Sequence, residues 1–168
     1  MDMHFCRRCG QPLTQKMGHI FTCGNSHTLY VNAASAPGLL LLNAKGQVLL
    51  VRRAIEPGKG MLDVPGGFCD GPEPLEDALV REMHEELDLS PADYSTPEFM
   101  FSDTIEYEFS GERIPLLVEI FRATINPNAK PKPKDDVVSI EWALPAEVDL
   151  NQVAFSAVRI ALQKLQKQ

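Results

Sequence analysis

The stretch GGFCDGPEPLEDALVREMHEELDL, Gly66 to Leu89, carries a Gly-rich turn straight into a segment of helical periodicity that holds Glu82, Glu85 and Glu86. Pro74 suits a first helical position, Glu76 and Asp77 favour the positive end of the helix dipole, and no Gly or Pro follows until Pro91. These signals predict a helix from Pro74 to Leu87. Leu75, Leu79, Met83 and Leu87 recur every four residues as one apolar stripe, the mark of an amphipathic helix packed on a core. At about 100° per residue, Glu82, Glu85 and Glu86 fall in a narrow sector beside that stripe. They crowd one another at the edge of a buried face.

Like charges three or four apart on a helix cost on the order of 0.2–0.5 kcal/mol per pair, and partial burial raises that cost. A cation between them would offset it. Mg²⁺ suits the chemistry, being a hard ion that takes oxygen ligands and is held by a few carboxylates with phosphate and water completing its shell. Taken alone, the glutamates read first as a solvated acidic helix face. The flanking residues change that reading.

Gly67, Glu73, Arg81-Glu82 and Glu85-Glu86 follow the spacing G-x5-E-x7-R-E-U-x-E-E-x-G-U, with U aliphatic, and Val64-Pro65-Gly66-Gly67 leads into it. Met83 and Leu89 fill the aliphatic places. The pattern resembles the Nudix hydrolase box. The resemblance implies that Glu82, Glu85 and Glu86 are catalytic ligands of Mg²⁺ or Mn²⁺, that Gly66 and Gly67 let the backbone approach a phosphate, and that Glu73 and Arg81 pair to brace the loop against the helix. One position departs, because Asp88 stands where the pattern has glycine. A left-handed helix end is expected there, which Asp tolerates at a cost on the order of 1 kcal/mol. Slight strain with retained activity is the expectation.

With 168 residues, 44% of them apolar, the chain has room for one ordinary domain and a small appendage. The N-terminus MDMHFCRRCG has no apolar run of signal-peptide length, and no later run approaches the roughly 20 residues needed to span a membrane. A cytoplasmic protein without a membrane partner is expected. The net charge of −7 disfavours a polyanion-binding surface but is compatible with a small phosphorylated substrate held through a metal.

Cys6, Cys9 and Cys23 lie in a stretch too short to bury its own core. Cys6-Arg7-Arg8-Cys9 is a C-x2-C knuckle and Cys23 to His27 offers a C-x3-H pair, so a tetrahedral zinc site is available, with His19 or His4 as alternative fourth ligands. A degenerate, metal-free site is the other reading, and zinc stands ahead of a disulfide in a reducing compartment. Strands near His19 to Thr22 and Thr28 to Val31 would complete a ribbon. Closed coordination would make it structural. Nucleic-acid binding by the ribbon finds only Arg7 and Arg8 in support. A ribbon ahead of this box resembles NADH pyrophosphatases and related zinc-ribbon Nudix proteins. The Ser-Gln-Pro-Trp-Pro-Phe-Pro array of those pyrophosphatases is absent, since Phe101 to Tyr107 reads FSDTIEY, and NADH selectivity does not carry over.

Pro37 to Arg53 predicts a hairpin, with Leu39 to Leu42 and Val48 to Val51 as strands around Asn43 to Gly46. Arg52 and Arg53 at its end are candidates for a substrate phosphate, or ordinary strand-end charges. Met61 to Val64 reads as a short strand entering the box, and Cys69 as a small filler without a paired histidine. Glu98 to Phe109 and Ile114 to Thr124 read as strands joined near Ser110-Gly111. Phe101, Tyr107 and Phe109 have the shape to stack on a base, but alternating strand spacing fits core or surface filling more often. Asn126 to Lys134, NPNAKPKPK, predicts a stiff, solvated loop. Asp136 stands six residues before Trp142, where many Nudix chains carry an acid that ligates metal or takes a proton from water; Glu106, Glu119 and Glu141 are alternatives. Pro145 to Val148 predicts a helical turn. Val153 to Leu165 predicts a closing helix with Ala157, Ala161 and Leu165 inward.

The resulting expectation is an α/β Nudix fold, a mixed sheet between helices, over residues 34–168, preceded by a zinc ribbon over residues 1–33. The resemblance implies metal-dependent hydrolysis of a nucleoside diphosphate linked to another group, such as ADP-ribose, FAD or NADH. Nucleoside triphosphate hydrolysis or nucleotide sensing without cleavage are the alternatives. Dimers are common in the resembled family, and a homodimer is the expected assembly.

Overall fold

The computed structural model describes residues 4–109 and 111–167. Ser110, placed by the sequence in a strand connection, and the side chain of Phe109 lie outside the described residues, as do residues 1–3 and 168.

Three short strands, β1 (Leu13–Met17), β2 (Ile20–Cys23) and β3 (Thr28–Tyr30), form an antiparallel sheet in that order. The two expected ribbon strands are there. β1 was not anticipated, because Leu13 is its only shielded residue and the rest is exposed, leaving no alternation to read. Cys6, Cys23 and Leu29 are the buried residues of this region, with Cys9 and Leu13 against them.

The second sheet runs β6 (Leu62–Asp63), β5 (Val48–Arg53), β4 (Ala34–Leu42), β8 (Glu112–Thr124), β7 (Glu98–Phe109), with β9 (Val137–Ala143) also paired to β5. β4 and β8 are parallel and every other pairing is antiparallel, so the sheet is mixed. Its central strands read as unbroken apolar runs because both faces are covered. Leu39, Leu41, Leu49 and Val51 face Leu79, Met83 and Leu87 of α1 (Leu75–Leu87), while Leu40, Val48 and Leu50 face Ala157, Val158, Ala161 and Leu162 of α2 (Ser156–Leu165). The period-two alternation of the strands thus sorts the chain into two cores.

Both helices begin later than their periodicity implies. Pro74 has a helical φ of −63° but an extended ψ of 152°, so it caps α1, its carbonyl accepting from Ala78 N–H at 3.0 Å. Residues 153–155 are drawn away from α2, since Ala154 N–H is spent on the Leu62 carbonyl at 2.8 Å. At the far end of α1, Asp88 adopts the expected left-handed conformation, φ 59° and ψ 29°. The loop at 126–134 is irregular as expected. It is not merely solvated: Lys132 and Lys134 place ammonium groups 3.0 and 2.7 Å from the Asp88 carboxylate, whose pKa they hold down at about 2. No helix among the described residues is long and apolar enough to cross a membrane.

Candidate active site and metal centres

A cleft of about 340 Å³ opens where the Gly66-Gly67 turn meets α1. Its acidic lining is Asp63, Asp70, Glu82, Glu85, Glu86, Asp135 and Asp136; its apolar lining includes Phe68, Ile105, Tyr107, Val118 and Phe155. The turn is held close to β4, with Leu39 N–H donating to the Pro65 carbonyl at 2.9 Å and Cys69 N–H to the Ser35 carbonyl at 3.0 Å. Two glycines make this approach feasible. Gly66 has φ 142°, and a Cβ there would overlap the Pro37 carbonyl oxygen and stand 2.8 Å from Gly38 Cα. A Cβ on Gly67 would occupy the place of the Glu82 carboxylate.

Arg81 is the hub of the loop–helix junction. Its guanidinium donates to both Glu73 oxygens at 3.1 and 2.9 Å, to the Phe68 carbonyl at 2.8 Å, to Glu82 at 2.7 Å and to Glu85 at 3.0 Å. The side-chain bonds from Arg81 and the Asp70 backbone hold the Glu73 carboxyl below its ordinary range. Glu73 and Arg81 therefore join the Gly-rich loop to α1.

The glutamates differ in environment. Glu85 is nearly half exposed. Burial pushes Glu82 up against the lowering influence of Arg81. Glu86 is 8% exposed and makes no ion pair among the described residues; it accepts one hydrogen bond, from Gly66 N–H at 3.0 Å. Burial, reinforced by Glu82, Asp63 and Asp136 and only partly opposed by Gly66, pushes Glu86 to about 8. A buried carboxylate that faces other acids and lacks a counter-ion is a fit for a hard divalent cation, whose charge would favour its ionised form. Glu82 and Glu85 are turned onto Arg81 and would supply the adjoining oxygens.

Asp136 lines the cleft, but so does Asp135, which the sequence reading did not single out; the adjacent acidic pair was its signal. Asp63 was also missed, an acid inside an apolar run. It pairs with Arg53 at 2.8 Å, and burial raises its carboxyl despite that charge. Arg53 lines the cleft, bonds the Pro57 carbonyl at 2.8 Å and lies over the Phe155 ring at 4.9 Å. Arg52 is turned elsewhere, to the Gly60 carbonyl at 2.7 Å and Glu141 at 3.4 Å. Glu106 is exposed, and Glu119 is buried in the sheet accepting from Ala36 N–H at 3.2 Å. Tyr107 packs edge-on to Phe68 at 5.3 Å, while Phe101 lies under Lys164. Cys69 is half-buried, and its thiol is raised by burial and by nearby acids.

The second centre is Cys6, Cys9, Cys23 and His27, whose ligand atoms all lie within 4.8 Å of one another; His4 and His19 are not in the set. Cys6 Sγ is 3.6 Å from His27 Nδ1 and Cys9 Sγ is 3.7 Å from Cys23 Sγ, with all four cysteines free of disulfides. A tetrahedron with metal–sulfur arms of about 2.3 Å has edges of about 3.8 Å, so these separations fit a closed four-coordinate site. Burial acts to raise the Cys6 thiol, yet bonds from the Arg8 backbone, His27 and Cys9 bring it to about 6, which favours the thiolate a metal requires.

A mixed sheet between two helices, with a Gly-rich turn feeding glutamates into a cleft at its edge, defines the α/β class expected from the box. The chain belongs to the NUDIX domain family, whose sequence model matches residues 32–162. It is similar to the mitochondrial NAD(P)H pyrophosphatase NUDT13 of Homo sapiens, 33% identical over 90 residues that cover 52% of this chain and 25% of that protein. It is also similar to the ADP-ribose pyrophosphatase of Methanocaldococcus jannaschii, 37% identical over 65 residues, 39% of this chain and 38% of that one. The chain therefore matches well under half the length of these curated relatives. Among solved structures, a NUDIX hydrolase from Nitrosomonas europaea superposes with a TM-score of 0.70 at 21% identity over 99% of this chain and 92% of that one, a likeness of fold.

Proposed function

We propose that the chain hydrolyses a nucleoside diphosphate linked to another group, ADP-ribose or a dinucleotide such as FAD or NADH, at the pyrophosphate. The observation that carries this reading is the two-walled cleft, with Glu86 buried and uncompensated on the acidic side. Glu82, Glu85 and Glu86 would hold Mg²⁺ or Mn²⁺, which supplies neutralisation of diphosphate charge and a lowered pKa for bound water. The Gly66-Gly67 turn admits a phosphate close to the backbone. Asp136 accepts the proton of the attacking water; a new oxygen–phosphorus bond forms as the bridging phosphoanhydride bond breaks, and the leaving phosphate departs with the electron pair. Phe68, Tyr107 and Phe155 offer the apolar surface that a base or other planar group needs. The pyrophosphatase names of the relatives support the same substrate class.

In this reading residues 34–168 form the hydrolase domain, and residues 1–33 a ribbon closed by Zn²⁺ on Cys6, Cys9, Cys23 and His27. Product analysis of ADP-ribose, NADH, FAD and nucleoside triphosphates with Mg²⁺ and with Mn²⁺ tests the proposal. AMP released from a diphosphate-linked substrate supports it. Cleavage confined to triphosphates, or nucleotide binding with no cleavage, would replace it.

A further inference from the structure

Asp88 is the position at which the chain departs from the box pattern, and it is also where the 126–134 loop is fastened. Its two carboxylate oxygens receive Lys132 Nζ at 3.0 Å and Lys134 Nζ at 2.7 Å. A glycine would meet the left-handed backbone but offer no anion. Main-chain bonds run beside the ion pairs, from Lys132 N–H to the Leu87 carbonyl at 2.9 Å and from Lys134 N–H to the Glu86 carbonyl at 2.8 Å. Those carbonyls belong to the last turn of α1, which has no partner within the helix. The loop is thus clasped onto the end of the glutamate-bearing helix through alternate residues. Immediately afterwards the chain turns at Asp135, φ 49°, and Asp135 and Asp136 enter the cleft, with the Asp136 carbonyl accepting from Ala54 N–H at 2.7 Å.

We propose that Asp88, through Lys132 and Lys134, is a positioning residue that sets where Asp135 and Asp136 stand relative to Glu82 and Glu86. The inference rests on the hydrolase reading above. It concerns placement: no group of the acidic wall is removed when the clasp is lost, but the wall moves. Tolerance of such displacement is small, since an ångström of misplacement costs a large factor in rate.

The test is steady-state kinetics on the best diphosphate substrate with saturating metal. Asp88→Asn keeps a residue tolerant of the left-handed backbone, Asp88→Gly relieves that backbone entirely, and both lose the anion. Each should lower kcat about tenfold and leave KM within about twofold, because the loss is of geometry in the transition state. Lys132→Met with Lys134→Met should fall equally, and combining it with Asp88→Asn should cost nothing further, since both break one clasp. Lys130→Met, in the same loop and without an ion pair among the described residues, should match the wild type. Wild-type kcat in Asp88→Gly, an effect on KM alone, or additive losses would each overturn the inference while leaving the hydrolase reading standing. A wild-type chain that cleaves no diphosphate substrate would overturn both.

Discussion

Glu86 gives the metal-free site a pH dependence that a single substitution isolates. Its carboxyl is raised from 4.5 to about 8 in the folded chain, so the metal-free protein carries a stability contribution that is full below the ordinary carboxylate value and lost as pH rises through about 8. Glu86→Gln keeps an acceptor for Gly66 N–H and removes the ionisation. With chelator present, the variant should therefore melt higher than the wild type at pH 8.5 and about equally at pH 5, while metal-dependent turnover falls at least about a hundredfold. Calorimetric melting at the two pH values checks this; a wild type that melts higher at pH 8.5 would contradict it. The two glycines should separate in the same way. Gly66→Ala forces a Cβ into backbone and should destabilise by about 2–4 kcal/mol in urea, whereas Gly67→Ala meets the end of the Glu82 side chain and should spare stability but lose activity.

Among the elements, those read correctly from sequence carry local signals. The stripe of α1 and the apolar runs of β4 and β5 need no partner to be recognised. β7 was placed at its observed ends, Glu98 and Phe109. β9 exists because it pairs with β5, and α2 starts late because Ala154 is tied to Leu62; neither fact is written in a local period. At the site, the placement of the box glutamates at the cleft, the Glu73–Arg81 junction and the clustering of the Cys/His set were legible because residue spacing carries each of them. Asp63 and Asp135 were not singled out: Asp63 sits inside an apolar run, and the Asp135-Asp136 pair offered a signal whose place at the cleft depends on the turn that follows the 126–134 loop. The ribbon has so small a core that metal should be its main support. The purified chain is expected to hold about one zinc, and Cys23→Ser or strong chelation should unfold β1 to β3, read as loss of amide protection there while α1 and the second sheet stay protected. Zinc-free protein with unchanged protection across β1 to β3 would contradict this.

For the molecule as a whole, the fold delivers two surfaces to one cleft. α1, β6 and the turn that follows the clasped loop bring carboxylates, and β7, β8, the Gly-rich loop and the approach to α2 bring apolar side chains. Under the proposed function, the acidic surface would take the metal-bound diphosphate and the apolar surface the less polar remainder. The most direct measurement is phosphorus NMR of ADP-ribose, NADH and FAD, each incubated with the wild type and with Glu86→Gln, with Mg²⁺ and then with excess chelator. AMP should appear from at least one of the three only with wild type and Mg²⁺, and accumulation should stop when chelator is added. All three substrates left unchanged by the wild type, or cleavage that persists in Glu86→Gln or after chelation, would contradict the proposal that the cleft is a metal-dependent diphosphate hydrolase site.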